Sequence, residues 1–214
     1  MIMAAPAKTR RRLPAEERRE RILRAAMEVF AERGYQEASV AEIAAAAGIT
    51  PAVIYDHFPS KAELQITLLE QQTDELLAFV GSAVASDFEG TAERMKVGVD
   101  AFFEFVEEHP YAWRMLFRDP PTDPAIVSTY RNIHRRATAG IAMFLRASAP
   151  DVLLDDPQAE RDLEMFAEML KMAQNGLAVW WYGHRDVPRG ELVERVLEFC
   201  WIGFERIAAG ERAV

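Results

Sequence analysis

The chain has 214 residues, half of them apolar and 28% charged, which is enough to bury a sizeable core in one domain or two small ones. No apolar run approaches the roughly 20 residues that a membrane span needs, and the first residues lack the apolar core of a signal peptide, so a cytoplasmic protein without membrane partners is expected. A single cysteine, Cys200, excludes an internal disulfide framework and a multi-cysteine zinc site, and no metal or cofactor is expected.

The net charge of -9 argues at first against a nucleic-acid partner. Its distribution argues the other way: residues 1–61 carry 10 Lys/Arg against 8 Asp/Glu, and the rest of the chain carries 15 against 26. A mildly basic N-terminal module on an acidic body suits local DNA contact with little nonspecific adhesion elsewhere.

In chain order, residues 1–13, with Lys8, Arg10, Arg11 and Arg12, lack apolar periodicity and are expected to form a disordered basic arm. Ile22, Ala26, Val29 and Phe30 then recur at helical spacing from Pro14 to about Arg33, and Gly34 closes the helix. Ser39 with Glu42 is a capping box, so a second helix starts there; Val40, Ile43, Ala44 and Ala47 line it and Gly48 ends it with positive φ. Thr50 can cap a third helix with Pro51 at its first position. Two short helices joined by a tight glycine turn make a helix-turn-helix. Ser60 and Glu63 open a long helix to about Val84, with Leu64, Leu68, Leu69 and Leu76 along it.

Beyond Gly90 the period stays helical. Met95, Val99, Phe102, Phe103 and Val106 share one element, a short helix follows from Tyr111 to Arg118, and Asp119 to Pro124 is a loop with three prolines. Asp123 caps a helix lined by Ile126, Tyr130, Ile133, Ala137, Ile141 and Phe144; Asp156 and Pro157 open one that runs to about Tyr182; a last helix carries Leu192, Val196, Cys200, Trp201, Phe204 and Ile207. No segment alternates with the period of a strand. The expected fold is all-α with about nine helices: a head over 14–62 and a larger body over 63–214.

Residues 18–64 resemble the DNA-binding domain of the tetracycline-repressor (TetR) family of bacterial transcription regulators. The likeness rests on Ile22, Ala25, Ala26, Phe30, Gly34, Tyr35, Val40, Ile43, Ala44, Ala47, Gly48, Ile49, Tyr55, His57, Phe58, Lys61 and Leu64. It implies a homodimer that binds a near-palindromic double-stranded operator, most simply as a repressor, and releases it when a small molecule enters the body. Carried over by position, Tyr55, His57, Lys61, Ser39 and Thr50 would contact phosphates, and Pro51, Ala52 and Val53 would face bases. Hydroxyls, a lysine and free helix N-H groups suit phosphates on chemical grounds also. The three tip residues can touch thymine methyls but make none of the bidentate hydrogen bonds that discriminate best. Ala41 and Asp56 depart from the polar, aromatic or basic residues found at these positions in some family members.

For the body, Phe102, Phe103, Trp113, Phe117, Tyr130, His134, Met172 and Asn175 are candidate contacts for a small apolar or aromatic effector as a set, while each taken singly reads more readily as core or as a satisfied polar residue. Trp181, Trp201 and Phe204 are candidates for the dimer interface, the other reading being a buried core within the subunit to which Trp180 could belong. The alternative is a helical ligand-binding protein with a degenerate DNA-binding head. An enzyme is disfavoured: the chain has no Walker loop, no dinucleotide fingerprint and no nucleophile elbow, and His57, His109, His134 and His184 lack metal-ligand spacing.

Overall fold

The computed structural model describes residues 14–118, 121–148 and 158–202. The expected arm over 1–13, the helix start at Asp156 and Pro157, and Phe204 lie outside this range. The described residues form nine α-helices and no strand: α1 (Ala15–Glu37), α2 (Val40–Ala47), α3 (Pro51–Tyr55), α4 (Lys61–Ala83), α5 (Thr91–Glu108), α6 (Pro110–Trp113), α7 (Pro124–Ser148), α8 (Ala159–Tyr182) and α9 (Arg189–Val196). Two π-helical turns, Arg114–Arg118 after α6 and Leu197–Trp201 after α9, extend the short helices.

Local chemistry sets the boundaries of the head. Gly34, at φ 78°, breaks the regular winding of α1, and the chain makes one more turn before it leaves at Ala38. At the start of α2 the Ser39 hydroxyl accepts from the Glu42 N-H at 3.2 Å, and the Glu42 carboxylate accepts from the Ser39 N-H at 2.9 Å, so both halves of the capping box form. Gly48, at φ 64°, closes α2: its N-H donates to Ala45 and the Ile49 N-H to Ala44, the bond pair of a Schellman turn. Pro51 opens α3, but the Thr50 side chain makes no capping bond. At α4 only the serine half of the expected box is present, from the Glu63 N-H to Ser60 Oγ at 3.0 Å.

In the body α5 and α7 pack on α4, α8 packs on α7, and α9 packs on α5. Asp123 caps α7 through the Ala125 N-H at 3.0 Å. Arg189, in the first turn of α9, reaches Asp100, Glu104 and Glu107 on α5 and ties the two helices. One apolar cluster runs through the molecule, from Ile22 and Phe30 in α1 through Leu64 and Leu68 in α4 to Phe103, Trp113 and Val196. α4 belongs to both parts, since it packs on α1 at one end and on α5 and α7 along its length.

The two tryptophans at the end of α8 are inverted relative to expectation. Trp181 is only 2% exposed, with its indole N-H donating to the Val187 carbonyl at 2.8 Å and its ring edge-on to Phe103. Trp180 is 46% exposed. The helical period explains the exchange: Gln174, Ala178 and Trp181 share the buried face, and one residue of rotation turns Trp180 outward. Trp181 therefore leaves almost no surface for a second copy.

Candidate DNA interface and effector cavity

The capped α2, the Gly48 turn and the short α3 together hold a projecting surface. Thr50, Pro51, Ala52 and Tyr55 are exposed on it, with Tyr55 at 53%, while Val53 and His57 are half-buried. Ile54 and Phe58 point inward and pin α3 to the head core. Arg19 lies over the Phe58 ring with its guanidinium carbon 5.0 Å from the centroid. The ring of Tyr55 is thus a surface group rather than a core aromatic, and the Thr50 hydroxyl is left out of capping.

Two expected contacts have different surroundings from those their spacing suggested. The Ser39 hydroxyl donates to Glu42 Oε2 at 2.8 Å as well as accepting from the Glu42 N-H, so it is already engaged at both ends. These bonds from Ser39, with Arg33 at 2.9 Å, hold the Glu42 carboxyl below its ordinary range. Lys61 donates to the Tyr35 and Ala38 carbonyls at 2.9 Å and to the Gln36 carbonyl at 3.3 Å, and lies 4.4 Å from the Tyr35 ring centroid. Its three N-H donors satisfy carbonyls where α1 ends, and its charge suits a helix C-terminus. Asp56 is exposed at the end of α3.

Sequence reasoning missed the contact between head and body. The Tyr35 hydroxyl donates to Asp123, and the Gln36 amide donates to Thr122 Oγ1 at 2.8 Å. A tyrosine just past a helix-ending glycine was the available signal, but its partner is remote in sequence. Arg21 was missed also: a Cβ at Gly48 would come within 2.7 Å of its Nη2, which places this cation over the α2–α3 turn.

In the body a small apolar crevice with room for about 20 Å³ lies between Met95 of α5, Leu145 of α7, Phe166 and Leu170 of α8, Val196 of α9, and Leu197, Cys200 and Trp201 of the following π turn. None of the eight expected effector residues lines it. Phe102 and Phe103 pack edge-to-face with each other, and Phe102 with Phe117, as core aromatics. Trp113 is fully buried against Tyr182, and Tyr130 tilts onto His134 with centroids 4.5 Å apart. Met172 is 55% exposed on the outer face of α8, and Asn175 is half-buried. Trp201, expected at a dimer interface, is half-buried at the cavity.

The lining is apolar, and burial pushes the Cys200 thiol up, which keeps it protonated. Outside the cavity, Lys171 is buried between α7 and α8, donating to Glu168 at 2.7 Å and Thr138 at 2.8 Å. Burial and the neighbouring Lys171 charge lower the His134 pKa.

Comparison with known proteins agrees with this arrangement. Residues 22–66 match the pattern described as bacterial regulatory proteins of the tetR family, and residues 91–203 match a tetracyclin repressor-like C-terminal domain. The chain is 30% identical over 197 residues to the HTH-type transcriptional activator FasR of Mycolicibacterium smegmatis, covering 92% of this chain and 87% of that protein. Among solved structures, a TetR-like regulator from Rhodococcus sp. RHA1 superposes with a TM-score of 0.73 at 23% identity, covering 91% of this chain and 99% of that one. FadR of Bacillus subtilis, solved in complex with stearoyl-CoA, superposes with a TM-score of 0.73 at 17% identity, covering 85% and 96%. The chain belongs to the TetR family of bacterial transcription regulators, a non-enzymatic class.

Proposed function

We propose that this protein is a ligand-responsive regulator that binds a palindromic operator as a homodimer and is released by a small effector with an apolar chain. The observation that carries the reading is the exposed surface of Thr50, Pro51, Ala52 and Tyr55 on a helix whose position is fixed by a capping box and a glycine turn. Thr50 and Tyr55 supply hydroxyls for phosphates, and the apolar tip meets the groove floor. Lys61 and Ser39 hold the reading surface in place, and Arg21 joins Thr50 and Tyr55 as a backbone contact. Base-reading chemistry is sparse, so DNA shape and the basic residues of 1–13 carry much of the selectivity.

Dimerisation rests on the outer face of α8. Met165, Met169, Met172, Val179 and Trp180 are exposed there, and Gly176 among them leaves room for close approach. Their spacing of three and four residues makes one stripe that a second copy can cover. A twofold axis then sets two α3 helices about 34 Å apart, one turn of DNA.

The effector reading rests on the apolar lining of this crevice, which has to widen around a chain, and FadR supplies a precedent in the stearoyl-CoA bound to it. Repression by promoter occlusion is the simpler outcome of DNA binding. Activation is the second reading, favoured by the activator named among the relatives. The test is binding to DNA flanking the coding region, with and without a long-chain acyl thioester, at several salt concentrations. A dimer-sized footprint that the thioester dissolves is expected; no preference over random DNA at moderate salt overturns the reading.

A further inference from the structure

Tyr182 ends α8 with its ring 41% exposed, and side chains from α6, the π turn after it and the α8–α9 loop converge on it. The Trp113 indole stacks on this ring with centroids 5.2 Å apart. The Arg114 guanidinium carbon lies 5.0 Å from the ring centroid; that of Arg185 lies 5.9 Å from it and 4.3 Å from the Trp181 centroid. Arginine over an aromatic face is a common packing contact, so stacking alone does not make a site.

Unspent charge and unmade hydrogen bonds set this cluster apart. Among the described residues no carboxylate lies within 4.0 Å of either guanidinium, whereas Arg189 nearby in sequence gathers three. Residues 62–214 hold 26 acids against 15 bases, so two arginines sharing one ring without an acid runs against the composition. Trp113 Nε1 and Arg114 Nε are buried donors with no acceptor among the described residues. Leaving such a donor unpaired costs about 1–3 kcal/mol, which a bound acceptor would recover. Both residues stand where α6 passes into the π turn, a distortion frequent at functional sites.

We propose that Arg114, Arg185, Trp113 and Tyr182 form a shelf for a phosphate-bearing organic ligand, with the two guanidiniums on the phosphate and the open Tyr182 ring under a flat group of the same molecule. The planar guanidinium fork matches phosphate oxygens, and two such cations suit a phosphate ester better than a single carboxylate. This deepens the effector reading and rests on it. Leu170 in the crevice wall and Tyr182 are twelve residues apart on α8, roughly 18 Å, so the shelf lies within an acyl chain's length of the place where the effector reading puts an apolar group.

The test titrates the full chain with coenzyme A lacking an acyl chain, with inorganic phosphate and with free palmitate, in wild type, Arg114→Gln, Arg185→Gln and the control Arg146→Gln, whose guanidinium pairs with Glu160. Melting curves confirm that each variant folds. Coenzyme A is expected to bind wild type and the control, and each shelf variant to lose tenfold or more in affinity, the loss of one charge-assisted hydrogen bond. Palmitate affinity should not change. Absent coenzyme A binding, or shelf variants that bind like wild type, overturns the shelf; a retained palmitate response then leaves the effector cavity standing. Failure of palmitate alone removes the cavity and keeps the shelf. Inorganic phosphate binding as tightly as coenzyme A overturns the organic ligand. A weakened, less salt-dependent grip on DNA with coenzyme A unaffected assigns the two cations to DNA and overturns the proposal.

Discussion

The Tyr35 hydroxyl donates a 2.9 Å hydrogen bond to Asp123, a residue 88 positions further along, and so fastens the end of α1 to the start of α7. Burial first, then the hydrogen bond and charge of Asp123, push the Tyr35 phenol up to about 12 from 10.0. The fold therefore favours the neutral hydroxyl: the stability it contributes is complete below pH 10 and is lost as pH rises through 12. Denaturation of wild type and Tyr35→Phe between pH 8 and 12 should show a gap that is constant to about pH 10 and closes above it. A gap that widens with pH would contradict the assignment.

Lys61 is expected to act through folding rather than through phosphates. Replacing it with Met removes three charge-assisted bonds to the Tyr35, Gln36 and Ala38 carbonyls, at a cost of about 2 kcal/mol. The melting temperature should fall, and the slope of log affinity against log salt should stay unchanged. A slope smaller by about 0.9 would instead identify Lys61 as a phosphate contact.

Ser39 and Thr50 should separate cleanly, although both precede a helix. Ser39→Ala breaks a complete capping box and should cost about 1 kcal/mol of stability, read by denaturant titration, with little change in the DNA affinity of the folded protein. Thr50→Val removes a hydroxyl that caps nothing and should leave stability alone while weakening operator binding. Reversed effects would exchange their roles.

Trp181→Ala should destabilise by about 3–5 kcal/mol, since it empties a core site and orphans the Val187 carbonyl. Trp180→Ala should barely move the melting of the subunit, yet shift the monomer–dimer equilibrium in sedimentation towards monomer. A Trp180→Ala protein that remains as tight a dimer as wild type would place the interface elsewhere.

The head was legible because its signals are local. A capping box, a glycine at positive φ and a proline at the first helical position each act within four residues, and all three hold in the structure. The body was legible only as helices. On α8 the buried face carries the polar Lys171 and Gln174, which blurs the apolar period and hides which of two adjacent tryptophans turns inward. The cavity was not legible because its walls come from four helices, and Leu145 or Val196 looks like any other core residue until those helices are packed. Lys61 was half legible for the opposite reason: a lysine at the edge of a DNA-binding module invites a phosphate, and the backbone acceptors it also meets lie more than twenty residues away.

A helix held in common also limits what can be recombined. Exchanging DNA heads between relatives needs a line across which few contacts pass, and the expected boundary between residues 62 and 63 falls inside the first turn of α4. A chimera cut there would part Leu64 and Leu68 from the cluster they share with Ile22 and Phe30, and the transplanted head would arrive without one wall of its core. A head is moved intact only with the first turns of α4, so a change of operator is reached more readily by substitution on the surface of α3 than by swapping the module.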